Sequence, residues 1–563
     1  MKEEIKQFFK GEVFDDDATL DLYSRDASLF KVRPKLVVYP VDSEDLQNLV
    51  KWVSEHKPKD RTLSLTVRAA GSDMSGGPLN ESIIADVTKH MNHLGDTIKK
   101  SVAPNGVSYG SVTTEPGVFY RDFEPKTLEK GLILPCYTAS KNLNTLGGMY
   151  GNNSAGEKTL RWGKTDHFVL ASKVVFSDGH EYEVKPLNRS ELMQKIRQED
   201  FEGRVYRELF NLIEANTDTI KRNKPRVSKN SAGYALWNVW DGSTFDLNKL
   251  LVGSQGTLGI ATEITYGLVE TEPISKLFVI FLKDLTHLAE LVNEILPTGP
   301  ETLETYDDAT LKLAIRFTPE MFKAMKPKSF LKLILSFIPE GFMMLGMRGL
   351  PKLVVLVEYT GKTLAEVEKK MDILRYRIGH FGFETRETRS QEESEKYWTV
   401  RRESFNLLRK HVKGSRTAPF VDDVVVEPKD MPEFLPKMRA ILDKYKLTYT
   451  IAGHAGNGNF HIIPLMDMHR VENVEVIKKA GEEIYSLVGA YHGSITGEHN
   501  DGIVRTPYLN KMFDAEMLEL FKKVKEIFDP KDIFNPGKKV PSTDSGQDGG
   551  TIEYLASHID IEK

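Results

Sequence analysis

The segment His454-Ala-Gly-Asn-Gly-Asn-Phe-His461 places two imidazoles at the ends of a run of small residues. Two glycines and two asparagines within six residues disfavour a helix, and a regular strand would point its two ends to opposite faces. We therefore predict a strand over Leu447–Ala452, followed by a tight turn that returns His461 to the side of His454. Imidazole is a frequent metal ligand at neutral pH. Taken alone, the pair is explained equally well by a turn with two structural histidines.

A second polar loop strengthens the case for a metal site. Gly493-Ser-Ile-Thr-Gly-Glu-His-Asn-Asp-Gly502 sets the carboxylate of Glu498 beside a third imidazole, that of His499. The predicted metal ligands are His454, His461 and Glu498. Three protein ligands leave positions open for substrate, as a catalytic metal site requires. Zinc fits two nitrogens and one oxygen, and manganese or iron would fit as well.

Composition narrows the class of protein. The 563 residues are enough for several domains with a large core, and 40% hydrophobic with 28% charged residues is typical of globular proteins. The net charge of -5 does not favour nucleic-acid binding. The single cysteine, Cys136, excludes intramolecular disulfides and a cysteine-held iron–sulfur cluster within the chain. Without a signal peptide or a long apolar run in the sequence, we expect a cytoplasmic enzyme.

Three glycine-rich loops indicate a large phosphate-bearing cofactor. A predicted strand, Leu63–Val67, runs into Arg68-Ala-Ala-Gly-Ser-Asp-Met-Ser-Gly-Gly77, whose backbone N–H groups can approach phosphate oxygens. This loop has neither the Rossmann nor the Walker spacing, and a flexible hairpin would explain it alone. Further loops rich in glycine, hydroxyl and amide side chains lie at 144–166 and 252–260.

In order and separation, these loops resemble the flavin-binding domain of vanillyl-alcohol oxidase and p-cresol methylhydroxylase (PCMH) relatives. The two histidine motifs make the chain similar to the branch with D-lactate dehydrogenase, glycolate oxidase and D-2-hydroxyglutarate dehydrogenase, over about residues 20–540. The resemblance implies an α+β fold, with a two-part PCMH-type FAD-binding domain and an antiparallel-sheet α+β cap domain. The expected divisions are an FAD-binding domain at 1–269, a cap at 270–510, a return to the FAD domain at 511–541 and a flexible tail at 542–563.

The resemblance also implies non-covalent FAD, because the phosphate loop has neither the histidine nor the cysteine that covalent relatives use. Gln255 stands where relatives usually have Glu, and we expect little consequence because contacts there are largely from the backbone. The predicted FAD-binding residues are Arg68, Ala70, Gly71, Ser72, Asp73, Met74, Ser75, Gly76, Pro135, Thr145, Gly147, Gly148, Asn152, Ser154, Ala155, Gly156, Gly163, Asp166, Gly256, Gly259, Ile260 and Asn535.

The implied reaction is oxidation of a D-2-hydroxy acid, D-lactate-like, to the 2-oxo acid, with hydride passing to the flavin. Arg401 matches the family arginine that grips the substrate carboxylate. Glu498 is a catalytic metal ligand, and His499, with an ordinary pKa near neutrality, is the expected base. Relatives that take dicarboxylates have a lysine at a position near Val421 that has no match here, which argues against a dicarboxylate. Either Arg402 or Arg416 could replace that lysine.

The sequence leaves open the electron acceptor and the choice between dehydrogenation and several alternative functions. The sequence shows no nicotinamide motif, so we expect a quinone or an electron-transfer protein as acceptor. The rivals are a non-redox flavoenzyme like alkyl-dihydroxyacetonephosphate synthase and the flavin subunit of a larger electron-transfer complex. A flavin-binding protein without turnover is a third, weaker alternative. The apolar and basic segment Lys323–Lys352 is expected to pack into the cap or a homodimer contact, or to dock peripherally on the cytoplasmic membrane face.

Overall fold

The fold is taken from a computed structural model that describes residues 1–99, 109–317, 349–411, 414–542 and 548–561. Most of the segment Lys323–Lys352 therefore lies outside the described residues, and its membrane contact stays a prediction. None of the described helices combines the length and the apolar character that crossing a lipid bilayer requires.

The N-terminal half begins with a small four-stranded sheet. Its strands run in the order Glu12–Phe14, Leu36–Tyr39, Ile83–Asp86 and Leu65–Arg68; the last three are parallel and the first is antiparallel. Helix Ser43–His56 starts at Asp42, whose carboxylate accepts from the backbone N–H of Asp45. Its buried apolar residues recur at helical spacing, so one face of the helix packs into the core beside the strand Leu36–Tyr39.

A second, six-stranded sheet forms another part of the N-terminal half. The central strand is Ile260–Glu270, which pairs with Gly110–Thr114 on one side and Val169–Val175 on the other. The outer strands Ile98–Lys99, Leu132–Ile133 and Glu181–Val184 complete this sheet. A separate two-stranded antiparallel sheet pairs Leu187–Asn188 with Thr244–Phe245.

The C-terminal half contains an eight-stranded sheet in which every recorded pairing is antiparallel. Its strands are Glu384–Glu387, Ile274–Leu282, Leu353–Gly361, Thr302–Asp307, Thr448–His454, Asn459–Met466, Arg416–Thr417 and, beside Asn459–Met466, Val424–Val425. The expected α+β architecture with an antiparallel-sheet cap is therefore confirmed.

Alternation along the strands distributes this sheet's side chains between two helical layers. In Ile274–Leu282, Phe278 and Ile280 pack with helices Leu288–Ile295 and Leu364–Ile378. Val279 and Phe281 face the other layer, with Asp308–Arg316 and Gln391–His411. Because successive strand residues point to opposite faces, an almost continuous apolar strand is buried on both sides.

The described residues form further helices of 4 to 19 residues. They are Lys2–Ile5, Asp17–Tyr23, Tyr120–Leu128, Leu146–Asn152, Thr159–Trp162, Arg189–Lys195, Phe201–Ala215, Thr217–Asn223, Asn248–Leu251, Met431–Lys444, Glu472–Ala490, Gly502–Arg505, Ala515–Phe528 and Ile552–Ser557.

The end of the chain differs from the flexible tail expected for 542–563. Within it, Tyr554 and Leu555 are buried and Ile559 forms a β-bridge with Phe30. The Asp560 carboxylate binds Arg25 at 2.8 Å and Arg416 at 2.9 Å. The expectation of a flexible tail rested on the polar residues of 542–550. The apolar residues that anchor the described part, 548–561, come later in the segment.

Candidate active site

The His454–His461 hairpin forms as the sequence predicts. Strand Thr448–His454 ends in a single 3-10 turn, Ala455–Asn457, and the chain returns along Asn459–Met466. The register pairs Ala452 with His461, so His454 and His461 are diagonal neighbours on one face, with ring centroids 5.2 Å apart. At Gly458 a Cβ atom would meet the Val426 carbonyl oxygen at 1.8 Å, which explains the glycine at this turn.

The second loop brings Glu498 to this histidine pair. Its Oε1 lies 3.6 Å from His454 Nε2 and 3.3 Å from His461 Nε2. Ligand atoms about 2.0–2.1 Å from a tetrahedral ion are separated by about 3.4 Å. The three predicted ligands therefore fit a divalent ion by both donor chemistry and spacing, with ligand atoms within 4.8 Å of one another.

Two buried carboxylates support these histidines from behind. Glu304 Oε1 lies 2.5 Å from His454 Nδ1, and Asp422 Oδ1 lies 3.2 Å from His461 Nδ1. Metal-binding histidines commonly donate their second ring N–H in this way, which fixes the tautomer and the ring orientation. Sequence reasoning assigned neither carboxylate a role. The one available signal for Glu304 was an acid within the strand Thr302–Asp307, which is buried throughout.

His499 lies at the edge of the same cluster. Its Nδ1 is 2.9 Å from Asp422 Oδ2 and its Nε2 is 3.8 Å from Glu498 Oε1. Burial alone would lower the pKa of His499, but the charges of Asp423 and Asp422 outweigh it and raise the pKa above its ordinary value. Our sequence-based expectation of an unperturbed base therefore needs correction, although the position of the ring is compatible with that role.

Asp423 shapes the loop that carries Glu498 and His499. Its Oδ2 accepts from the backbone N–H groups of Glu498 at 2.8 Å and His499 at 2.7 Å. The same oxygen accepts from Thr496 Oγ1 at 2.7 Å. Asp423 itself has a left-handed backbone, φ 70°, a conformation that Asp tolerates better than most residues. This one carboxylate therefore fixes the direction of both functional side chains.

Lys229 is a further residue that the sequence analysis missed. Its side chain is fully buried, with Nζ 2.9 Å from Glu498 Oε2. Burial would raise the pKa of Glu498, but the charges of Lys229 and His454 hold that pKa well below its usual range.

Arg401 reaches the site but is partly engaged by the protein. Its guanidinium pairs with the Glu304 carboxylate, and only 8% of its side chain is exposed. Its Nε has no hydrogen-bond partner within the described part of the chain. Arg402 binds Glu157 at 3.0 Å, Arg416 binds Asp560, and Val421 is buried in the core.

A cavity of about 1530 Å³ connects this cluster to the glycine-rich loops. Most ligand pockets enclose about 300–1,000 Å³, so there is room for a large cofactor and a small substrate together. His454, His461, Glu498, His499 and Arg401 line it. From the predicted FAD-binding residues, the cavity wall includes Arg68, Ala70, Gly71, Ser72, Asp73, Met74, Thr145, Gly147, Gly148, Asn152, Ser154, Ala155, Gly256 and Gly259.

The first loop has the donors that a phosphate needs. Within the described residues, the backbone N–H groups of residues 70–74 make no hydrogen bond to the protein. Asp73 Oδ2 instead accepts from the next N–H groups, those of Ser75 at 3.1 Å and Gly77 at 2.8 Å, which fixes the turn. Adjacent unpaired N–H groups facing a cavity form an anion-binding nest, so these residues fit a pyrophosphate.

The other predicted FAD-binding residues do not line the cavity. They are Ser75, Gly76, Pro135, Gly156, Gly163, Asp166, Ile260 and Asn535. Several have packing roles instead: a Cβ at Gly156 would meet the Tyr137 carbonyl oxygen at 1.9 Å. Asn535 donates to the carbonyl oxygens of Gly77 at 2.9 Å and Gln255 at 2.7 Å, so it joins two loops from behind.

Gln255 also differs from expectation, because its side chain makes specific contacts. Its amide nitrogen donates to Ser75 Oγ at 3.1 Å and Asn152 Oδ1 at 3.2 Å. Its amide oxygen accepts from Gly502 N at 2.9 Å. A glutamate could not make both donations, so glutamine here ties all three glycine-rich loops to the Glu498 segment.

Comparison with known proteins agrees with this organisation. Residues 34–185 match the family model of an FAD binding domain, and residues 273–539 match that of the C-terminal domain of FAD linked oxidases. A solved p-cresol methylhydroxylase has a TM-score of 0.63 at 15% identity, covering 94% of this chain and 93% of that one. An alkyldihydroxyacetonephosphate synthase also has a TM-score of 0.63 at 15% identity, covering 95% and 84%. At such identities, these structures show the fold alone.

Two curated relatives extend the match. The chain is 26% identical to a D-2-hydroxyglutarate dehydrogenase of Pseudomonas putida, covering 99% of this chain but 53% of that protein. It is 25% identical to glycolate oxidase subunit GlcD of Bacillus subtilis, covering 96% of both. The chain thus spans about half the length of the first of these relatives and nearly all of the second.

Proposed function

Because the chain belongs to the flavoproteins that join an FAD binding domain to an FAD-linked oxidase C-terminal domain, we propose that it is an FAD-dependent dehydrogenase of 2-hydroxy acids. The proposed substrate is a D-lactate-like acid, which is oxidised to the 2-oxo acid. The observation that carries the proposal is the single cavity shared by the glycine-rich loops and the His454, His461, Glu498 and His499 cluster.

Non-covalent FAD and a divalent ion, with zinc as the best fit, are the proposed cofactors. When bound, FAD supplies a two-electron acceptor and the ion supplies a Lewis acid that lowers the pKa of the substrate hydroxyl. The nest at residues 70–74 would hold the FAD pyrophosphate. His454, His461 and Glu498 would hold the ion. Among the described residues, the histidines that line the cavity are His454, His461 and His499, which have proposed roles as metal ligands and base, and Cys136 does not line it. This supports non-covalent attachment of the flavin.

The remaining residues orient the substrate and move its proton. Arg401 is proposed to bind the substrate carboxylate through the part of its guanidinium that Glu304 does not occupy. His499 takes the hydroxyl proton on Nε2, while the negative charge of Asp422, whose Oδ2 lies 2.9 Å from Nδ1, stabilises the imidazolium that results. The two arginines available for a second carboxylate, Arg402 and Arg416, are paired with Glu157 and Asp560. The pairing of both arginines supports a substrate with a single carboxylate.

Anaerobic flavin reduction tests the proposal. D-lactate and other D-2-hydroxy acids should bleach the flavin absorbance, whereas the L-acids should not. D-2-hydroxyglutarate belongs in the same panel, since rapid reduction by it alone would replace the monocarboxylate by a dicarboxylate. If no 2-hydroxy acid reduces the flavin, the dehydrogenase proposal is wrong. Turnover of an acyl lipid would then favour the alkyl-dihydroxyacetonephosphate synthase alternative.

The proposed electron acceptor is a quinone or an electron-transfer protein. The single cysteine, Cys136, is buried, so this chain offers no cysteine-held relay cluster of its own. A soluble quinone analogue added to the reduced enzyme should restore the oxidised flavin spectrum. Co-purification of an iron–sulfur protein would instead identify the chain as the flavin subunit of a larger complex.

A further inference from the structure

Lys229 places a positive charge directly behind the proposed metal ligand. Its side chain is fully buried, and Nζ lies 2.9 Å from Glu498 Oε2 and 3.3 Å from Asn459 Oδ1. Asn459 is in turn fixed by donating to Asp423 Oδ1 at 2.9 Å. The ammonium therefore has a defined position, which its neighbours set from two sides.

The two oxygens of Glu498 have different surroundings. Oε1 faces the Nε2 atoms of His454, His461 and His499 at 3.6, 3.3 and 3.8 Å. Oε2 faces Lys229. We propose that Lys229 is a positioning residue that holds Glu498 as a one-oxygen metal ligand, by keeping Oε2 away from the ion. The inference rests on the proposed function, because it concerns the metal ion assigned there.

A carboxylate can bind a metal ion through one or both of its oxygens, so the position of Oε2 decides how many coordination positions remain open. If Oε2 also bound, it would take a position that the substrate hydroxyl needs. An ammonium on Oε2 prevents this and offsets the ligand's negative charge, which leaves the ion a stronger Lewis acid. Lys229 thus keeps the site open at some cost in metal affinity.

Other buried lysines already hold the loop in place. Lys164 Nζ donates to the Gly497 carbonyl oxygen at 3.0 Å, and Lys539 Nζ lies 2.9 Å from Asp501 Oδ2 and 2.6 Å from Asn500 Oδ1. Both are buried, and in the part of the chain that the structure describes neither donates a hydrogen bond to the Glu498 carboxylate. The contact specific to Lys229 is therefore with the ligand itself rather than with the loop backbone.

The test compares Lys229→Met with wild type and with Lys539→Met, using the FAD-loaded protein and Co²⁺ as probe. Met keeps the length and apolar stem of lysine while removing its charge. For Lys229→Met we expect Co²⁺ to bind about tenfold more tightly, because a like charge near the ion is gone. We also expect the visible Co²⁺ absorption to weaken, because the coordination number rises as Oε2 joins. Turnover should fall by about tenfold or more as the substrate position is lost.

Lys539→Met is the matched control, because it removes a buried lysine that contacts the same loop through Asn500 and Asp501 and not through the Glu498 carboxylate. Its Co²⁺ spectrum should equal that of wild type. An unchanged spectrum in Lys229→Met overturns the inference, and so does weaker Co²⁺ binding, which would assign Lys229 to loop support alone. If Lys229→Met does not retain FAD, Lys229→Gln replaces it, with the same outcomes required.

The wild-type titration separates this inference from the proposed function. If wild type binds Co²⁺ and His454→Ala does not, the metal assignment stands whatever Lys229 does. If wild type binds no Co²⁺, the metal assignment fails and this inference fails with it.

Discussion

Glu304 Oε1 lies 2.5 Å from His454 Nδ1, although 150 residues separate the two in the chain. The other oxygen of this carboxylate pairs with Arg401. Burial would raise the pKa of Glu304, but the charges of Arg401 and His454 lower it to about 2. One ionised carboxylate therefore orients both a proposed metal ligand and the proposed substrate-binding arginine.

Glu304→Gln should weaken both functions while preserving volume. The amide cannot stabilise the His454 N–H as a carboxylate does, so we expect metal affinity to fall about 10–100-fold. The Michaelis constant for the 2-hydroxy acid should rise, because Arg401 loses its partner. Metal titration and steady-state kinetics measure the two effects. Glu301→Gln is the control, since Glu301 is also buried but pairs with Lys158 at 3.2 Å and Arg161 at 2.9 Å. Equal metal affinity in both variants would contradict the assignment.

The proposed metal ligands should be separable from the flavin site. His454→Ala, His461→Ala and Glu498→Gln should each lose the metal ion and nearly all turnover while keeping FAD. The reason is that the nest at residues 70–74 does not involve these side chains. Metal analysis and flavin absorbance of the purified variants provide the two readouts. Full metal occupancy in all three variants would refute the ligand set.

His499→Gln should give the opposite pattern. Its Nε2 is 3.8 Å from Glu498 Oε1, farther than either His454 or His461. The variant should keep the metal ion and FAD but reduce flavin about 10²–10⁴-fold more slowly, the usual contribution of a general base. Stopped-flow reduction under anaerobic conditions measures this rate. A variant that reduces flavin at the wild-type rate would remove His499 from the mechanism.

Gly71→Ala should weaken FAD binding. Gly71 has φ 65°, and a Cβ there would come within 2.3 Å of Arg68 Nη2. Arg68 cannot move freely, since Nη2 donates to the Arg25 carbonyl oxygen at 2.8 Å. We expect about tenfold weaker FAD binding, measured by fluorescence titration of the flavin-free protein.

Gly382→Ala is the matched control for this change. Gly382 also has φ 65°, but a Cβ there would meet nothing within 4 Å. It should carry the same backbone strain and leave FAD binding unchanged.

In the same preparations, acid precipitation of wild type should release the flavin into solution. Flavin retained in the pellet would show a covalent bond.

Lys538 should make the free energy of unfolding depend on pH in the alkaline range. Burial lowers the pKa of Lys538 to about 8 from 10.5. Between these values the unfolded chain binds more protons than the folded one, so the free energy of unfolding rises with pH. This increase should be absent in Lys538→Met. Between pH 8 and 10, the free energy of unfolding should therefore rise by about 1–3 kcal/mol more in wild type than in the variant. Urea denaturation of both proteins at pH 8, 9 and 10 checks it, and parallel pH dependences would contradict the lowered pKa of Lys538.

Much of the fold could be predicted from local sequence patterns. The strands predicted at Leu63–Val67 and Leu447–Ala452 form at Leu65–Arg68 and Thr448–His454, because a short apolar run followed by a glycine-rich turn marks each of them. The His454–His461 hairpin formed as predicted, because the small residues of one short turn determine it. Segment 548–561, which was expected to be part of a flexible tail, is packed against the protein. Its partners, among them Phe30 and Arg416, lie more than 140 residues earlier in the chain, where no local pattern marks them.

Through its resemblance to a known family, the sequence indicated the fold class. Residue type and spacing alone located the three glycine-rich loops and the side chains of His454, His461 and Glu498, which are suited to hold a metal ion. These features are short-range, carried by residue type and spacing. Only the tertiary structure placed Glu304, Asp422 and Lys229 around those side chains and excluded residues such as Asn535 from the cavity wall. Lys229 and Glu498 are 269 residues apart. A lone lysine or acid has no spacing pattern, and it acquires its role only when folding buries it against an opposite charge.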